Sequence, residues 1–455
     1  MSKAGFNQVE SRAVISLSSL YLVRMLGLFM ALPVLSLYAD DYRQSTPFLI
    51  GVAIGIYGLS QAFLQLPLGL LSDRIGRRPV IIGGLLMLTA GSVVAATADS
   101  IYGLIAGRFM QGAGAIASAM MALLADLTRE SNRTKAMAAV GASIGLSFML
   151  SLVIGPWLTD NTGISGLFMF TAALAVIGLL IALFVVPVPV DDAEPHGRAP
   201  VLSLVGEVLR DPRLVRLDIG VFALHLIITA LFVVVPLILL ERLGIARQQH
   251  GWVYLGLLGL SFVGMIPMLV LAERRRIVKP VFVSAIALTA VALLALSSVT
   301  QNLYGFLACL FVFFVGFNYL EASLPSLVSR AASRASRGTA SGVYSSAQFL
   351  GAFCGGAGGG YVYQEFGVQA VFVACGLIAI AWTIVALAMP GPVYLRTITL
   401  MLDDPQSSGN MSQRLRALPG VCDVLIIAGA AEATLQVDDH SFDDAVLDDL
   451  PVQVA

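Results

Sequence analysis

The sequence predicts an all-α membrane protein: twelve transmembrane helices in two six-helix halves, followed by a small cytoplasmic α+β domain of ferredoxin-like type. Three observations lead there. The 455 residues are 58% hydrophobic and only 12% charged, with a mean hydropathy of +0.87; soluble domains carry about 25% charged residues. The apolar residues fall into blocks long enough to cross a bilayer. Beyond Pro392 the composition changes and becomes acidic.

This composition excludes a soluble multidomain enzyme and a disordered chain. The net charge of −1 supplies no basic field for nucleic acid. Cys309, Cys354, Cys375 and Cys422 are widely spaced and form no CxxC. That argues against a disulfide framework or a thiolate metal site. No metal and no cofactor is expected.

A helix needs about 20 apolar residues to cross the hydrocarbon core. Twelve blocks qualify, at about 13–38, 48–72, 79–98, 101–124, 134–158, 164–187, 214–241, 250–272, 279–299, 302–328, 337–362 and 367–389. Continuous apolar runs are helices, because lipid admits only helices and closed barrels. The first block contains Arg24 and lacks a small-residue cleavage site, so it reads as a retained helix. With the N-terminus inside, the inner segments hold 19 Lys and Arg and the outer loops three, Arg43, Arg242 and Arg247. This bias places both termini in the cytoplasm.

Two halves result, 1–187 and 214–390, joined by a polar linker, 188–213. Their helical spans, 13–187 and 214–389, are nearly equal in length, as in a duplicated transporter. The remainder, 391–455, has ten acidic and three basic residues from Val393 onward. Val393–Leu402, Val421–Ile427, Ala433–Val437 and Val452–Val454 read as strands; Met411–Leu418 and Phe442–Leu450 read as helices. The order fits a ferredoxin-like unit; a disordered acidic tail is the competing reading.

Between the second and third blocks the chain reads Gly69-Leu-Leu-Ser-Asp73-Arg74-Ile-Gly76-Arg77-Arg78-Pro79, and the fourth block contains Arg108-x-x-Gln111-Gly112-x-Gly114-Ala115. Both resemble signature motifs of the major facilitator superfamily. The resemblance covers about residues 13–389. It implies two pseudo-symmetric six-helix bundles around a central cavity that opens alternately to each side. It also implies that Asp73 docks on the start of the eleventh helix, at Arg337-Gly338-Thr339, and so holds the outward-open state. Gly69, Asp73, Arg74, Gly76, Arg77, Arg78 and Arg337 are then a conformational latch. A purely topological role for these charges is the alternative. The matching loop of the second half, Glu273-Arg274-Arg275-Arg276, lacks the glycines.

Ionisable groups within a membrane are costly, so each is a functional candidate. Glu321 and His225 are the candidates for carrying a proton, Glu321 as carrier and His225 as relay or substrate contact. The alternatives are a structural cap for Glu321 and a packing histidine. Arg24, Arg108, Gln111 and Asn318 are candidates for lining the cavity; structural hydrogen bonding is the alternative for Arg108. Tyr57, Gln61, Gln65, Tyr344 and Gln348 could line it too. GxxxG pairs at Gly51/Gly55, Gly103/Gly107, Gly141/Gly145 and Gly351/Gly355 suggest close helix packing. Gly145 with Gly155-Pro156 partly resembles the antiporter motif of drug-efflux members, which favours export.

The resemblance thus implies a proton-coupled exporter of small molecules in the bacterial inner membrane, of the drug/proton antiporter kind that carries a C-terminal ferredoxin-like domain. Uptake symport and a transporter-derived sensor remain open. No Walker A sequence appears, so ATP is not the direct energy source. No nucleophile–base set marks an enzyme. The expected partners are a small-molecule substrate, protons and the lipid bilayer, with no nucleic acid. The tail suits regulation or self-association.

Overall fold

The computed structural model describes residues 6–39, 42–187, 201–333, 336–391, 395–402, 414–415, 418–426, 432–438, 442, 446 and 452–454. The helices and the C-terminal sheet form separate compact units.

Fourteen helices are described: α1 Gln8–Phe29, α2 Leu32–Tyr38, α3 Pro47–Ile75, α4 Arg77–Ala96, α5 Ile101–Ala113, α6 Ala117–Asp126, α7 Glu130–Leu180, α8 Val201–Arg210, α9 Pro212–Leu237, α10 Arg247–Arg274, α11 Val278–Ser298, α12 Leu303–Ala331, α13 Arg337–Phe366 and α14 Val368–Leu387. Ten segments among the described residues are long and apolar enough to cross a membrane. One of them, Lys135–Val185, runs to 51 residues and is broken at Gly163, whose φ of 72° suits a residue without Cβ. The 30-residue α13 is glycine-rich and falls outside the ten. Counting that break and α13 recovers the twelve blocks of the sequence.

The local sequence explains the starts. Thr46 caps α3 with Pro47 following, Ser100 caps α5 and Asn302 caps α12. Asp211 caps α9, accepting from the Arg213 amide at 2.9 Å and its guanidinium at 3.0–3.2 Å. The Arg213 side chain is the main reason the Asp211 carboxyl titrates below the usual range. Asn7 and Glu10 form a capping box on α1.

Glu10 is also a junction. Its carboxylate takes the Arg129 guanidinium at 2.7–2.9 Å, the Arg129 amide at 2.9 Å and the Asn132 amide at 3.1 Å. This ties the start of α1 to the start of α7.

Three features depart from the sequence reading. The first block is two helices, α1 and α2, interrupted at Met30–Ala31 with Pro33 in the first turn of the second. The fourth block is also two, α5 and α6, interrupted at Gly114-Ala115-Ile116. The linker contains α8, an amphipathic run hidden among prolines and charges.

The most extensive helix pair is α3 with α13, from opposite halves. Gly51 and Gly55 of α3 lie on Phe353, Gly356 and Gly360 of α13; a Cβ on Gly55 would stand 2.9 Å from the Phe353 backbone. Gly351 and Gly355 pack instead on Phe222 and Leu226 of α9. Gly107 packs on Gly91 and Ala95 of α4. The Gly141/Gly145 pair does not fit the packing expectation, since a Cβ at either would meet nothing within 4 Å.

At the end remote from Asp73 the halves meet again. The Phe48 amide donates to Gln364 at 3.3 Å, and the Phe48 and Tyr361 rings stand edge to face. Gln248 donates to Asp160 at 3.0–3.1 Å, and Arg247 lies 4.6 Å over the Tyr38 ring.

In the other unit, strands β1 Leu395–Leu402, β2 Val421–Ile426, β3 Glu432–Asp438 and β4 Val452–Val454 form an antiparallel sheet of order β2-β3-β1-β4. Ile398, Leu400, Val424, Ala433, Leu435 and Val437 build its core. Their alternation is the period-two signal of the sequence. The predicted helix 442–450 and the loop 403–410 lie mostly outside the described residues, as does most of helix 411–418.

Because the α3–α13 seam leaves no room for a side chain, Gly55→Leu is expected to lower the Tm of purified protein by several degrees or abolish its monodispersity. Gly141→Leu should leave both unchanged, as judged by size-exclusion chromatography and differential scanning fluorimetry.

Candidate functional site

In a low-dielectric interior each buried polar atom needs a partner, so those without one stand out. The predicted residues divide cleanly on this criterion.

Arg108 is satisfied. It is fully buried. Its Nε and Nη2 donate to the carbonyls of Ala53 and Ile54, both at 3.2 Å, and Nη1 to Gln111 Oε1 at 3.0 Å. The guanidinium lies 4.6 Å over the Tyr57 ring. Gln111 passes the chain on to Ser92 Oγ at 2.8 Å. Arg108 and Gln111 therefore bolt α5 to α3 and α4. Asn318 likewise ties α12 to α10 through Ser261 Oγ at 2.9 Å.

Arg24 is different. It is 2% exposed, yet only Nη2 has a partner, the Gly114 carbonyl at 3.2 Å; Nε and Nη1 have none. Gln61, with both amide atoms unpartnered, and Gln65, with a free Oε1, follow Tyr57 at four-residue spacing on one face of α3.

The second half contains a connected set. His225 Nδ1 is 3.2 Å from the Val221 carbonyl, and its Nε2 is 2.7 Å from Gln348 Nε2 and 3.7 Å from Glu321 Oε2. These contacts fit a neutral imidazole protonated on Nδ1, with Nε2 accepting from the Gln348 amide. Glu321 Oε2 has no hydrogen bond. The Tyr344 hydroxyl, also unpartnered, is within electrostatic reach of both Glu321 and Asp218. Asp218 is buried with Oδ2 unpartnered.

Asp218 was missed from sequence because it sits near the end of its block, where a carboxylate reads as a boundary. An acidic residue followed by 22 residues without another Asp, Glu, Lys or Arg was the available signal.

The motif loop is built as follows. Gly69 lies against Ser118, and Gly76, at φ 95°, separates α3 from α4. Asp73 pairs with Arg77, and Arg77 reaches Ser72 Oγ at 2.8 Å and Asp126 at 3.4 Å. Arg78 donates to the Ala182 and Leu183 carbonyls at the end of the sixth block, where a cation suits the helix dipole. Arg74 and Arg337 are exposed.

A bundle of long apolar helices with two halves meeting along a glycine seam, and polar groups reserved for its interior, is a multi-pass membrane transporter of small molecules. Residues 17–353 and 217–398 match the Major Facilitator Superfamily, and the chain belongs to that family. It is 41% identical over 430 residues to the inner membrane transport protein YajR of Escherichia coli (strain K12), covering 94% of each chain. It is 26% identical to the multidrug resistance protein MdtH of Aeromonas hydrophila, over 78% of this chain and 87% of the other. Among solved structures it resembles a bacterial homolog of the human lysosomal transporter Spinster in an inward-facing and occupied conformation, with a TM-score of 0.68, 12% identity, and 84% and 97% of the two chains covered.

Arg108→Ala leaves two backbone carbonyls and Gln111 without their donors. A loss of about 3 kcal/mol or more is expected, read as a large fall in Tm. Arg24→Gln removes a mostly unanswered charge and should cost far less, or stabilise.

Proposed function

We propose that this transporter exchanges protons for small molecules by alternating access and works as an exporter. The observation that carries this reading is the set His225, Gln348 and Glu321. It joins an imidazole and a carboxyl group 3.7 Å apart; Gln348 is bonded to the imidazole, and Tyr344 lies within electrostatic reach of Glu321 and of Asp218.

A proton arriving on His225 Nε2 makes an imidazolium. It can no longer accept from Gln348, and it attracts the Glu321 carboxylate. A proton arriving on Glu321 instead removes that attraction and lets the carboxyl donate. Either way one proton changes which of α9, α12 and α13 are bonded together. Since α13 is also the partner of α3, the change reaches the seam between the halves. Tyr344 and Asp218 extend the set toward the start of α9.

The 19-to-three bias of Lys and Arg supports cytoplasmic termini and an inner-face Asp73 loop. On that orientation the end closed by Phe48, Gln364, Gln248 and Asp160 is the outer one, which supports an inward-facing reading. Asp73 and Arg77 would then trade their mutual pair and the Asp126 contact for the start of α13 when the inner side closes. Export is supported by Gly155-Pro156, which packs on the Met30 backbone at the α1–α2 interruption, and by the multidrug resistance proteins among the relatives. We read the C-terminal sheet, with its order β2-β3-β1-β4, as a ferredoxin-like domain with a regulatory or self-associating role.

In proteoliposomes with an imposed proton gradient, a panel of small organic compounds should show gradient-driven flux in the export direction. Glu321→Gln is expected to reduce that flux at least tenfold while protein yield and downhill exchange persist; gradient-driven flux unchanged in Glu321→Gln contradicts the proton role. Asp73→Asn should insert and fold normally yet lose flux, and normal flux in that variant contradicts the latch.

A further inference from the structure

The interruption of the fourth block creates a feature that the sequence did not disclose. The start of α6 lies inside the helical bundle, with Ala115 and Ile116 fully buried. Its N-cap residue is Ile116, and no side chain caps it. A helix N-terminus carries amides without intrahelical acceptors and roughly half a positive charge. Such an end, uncapped and buried, is costly unless something negative answers it.

Arg24 stands at the same place. Its Nη2 is bonded to the Gly114 carbonyl, two residues before the N-cap, and its Nε and Nη1 are buried and unpartnered. Tyr21, one turn earlier on α1, donates to the Ala117 carbonyl at 2.7 Å, so α1 grips both sides of the break and fixes the guanidinium against it. No carboxylate among the described residues lies within ion-pair distance of Arg24; its electrostatic neighbours are the phenols of Tyr21 and Tyr57. Guanidinium does not give up its proton in proteins. Ser118 of α6 donates to the Gln65 backbone carbonyl at 3.1 Å, which brings the α3 face with the unpartnered Gln61 amide to the same helix start. Three sources of hydrogen-bond donors and positive potential converge, and no anion among the described residues answers them.

We propose that Arg24, the N-terminus of α6 and the Gln61 amide form a binding subsite for an anionic head group, of the carboxylate class, on a small organic substrate. The proposal rests on the transporter reading above and names the substrate class that this reading leaves open. The ten residues of α6 place the subsite about 15 Å from the Asp126 end. That depth is far from the plane of lipid head groups and suits a molecule within the transport path. The planar fork of Arg24 matches a carboxylate in two-point contact. Discontinuous transmembrane helices that aim a half-helix N-terminus at an anionic substrate group are an established device in membranes.

Three probes sharing one ring test this: 1-naphthoate, 1-naphthamide and 1-naphthylmethylammonium, titrated into purified full-length protein in neutral detergent and followed by calorimetry and thermal shift. The expected result is at least tenfold tighter binding of 1-naphthoate than of the amide, with the ammonium weakest. Arg24→Gln should abolish the preference, and Arg24→Lys should retain part of it. Gln61→Ala should weaken 1-naphthoate alone. The head-group ranking in unmodified protein needs no variant to fold. Equal response to the three probes, including no response to any, overturns the subsite, as does a preference that survives Arg24→Gln. Proton-driven flux of the wider panel is measured in parallel. Flux without anion preference sinks the subsite and leaves the transport reading standing; anion preference without flux does the reverse.

Discussion

A polar group placed among apolar helices must be answered, and the organisation of this transporter follows from where it is and where it is not. Arg108 is answered three times over and acts as a rivet. Glu10, at the edge, is answered by Arg129 and Asn132 and joins two helix starts. Arg24, Gln61, Gln65, Asp218, Glu321 and Tyr344 each keep an atom without a partner. The first kind of residue builds the scaffold. The second kind is tolerated only where a substrate, a proton or a second conformation supplies what is missing.

The two candidate regions lie in different halves and differ in sign. Arg24 and the start of α6 give the first half a positive interior. Asp218, Glu321 and His225 give the second half a titratable one. On the proposed reading, substrate charge and proton charge are handled by separate halves, and the α3–α13 seam, with backbones nearly touching at Gly51 and Gly356, is the mechanical link between them. Packed glycine surfaces favour sliding between a few discrete arrangements over gradual deformation.

Much of this was legible in the sequence, for particular reasons. Apolar length fixes the helices because lipid offers no other solution for the backbone. The sheet was legible because Ile398 and Leu400, and Ala433, Leu435 and Val437, alternate. The interruptions at Met30–Ala31 and Gly114–Ile116 were not legible. Pro33 and Gly114 weaken the helix locally, but such residues are also tolerated within membrane helices, and what fixes the break is tertiary: Gly155 against Met30, Arg24 and Tyr21 against the α6 start. For the same reason sequence reasoning grouped Arg24 with Arg108 and could not see that one is satisfied and the other is not. It paired Glu321 with His225 only as members of one list; their separation of 3.7 Å is a fact of the fold.

Alternation of the two halves is the claim on which the rest depends. Double electron–electron resonance tests it most directly, with one spin-label pair at Ile75 and Ser341 near the Asp73 loop and another at Arg43 and Glu365 at the opposite end. A shift of pH should shorten the first distance and lengthen the second in the same sample. Two distances that stay fixed, or that grow and shrink together, would contradict it.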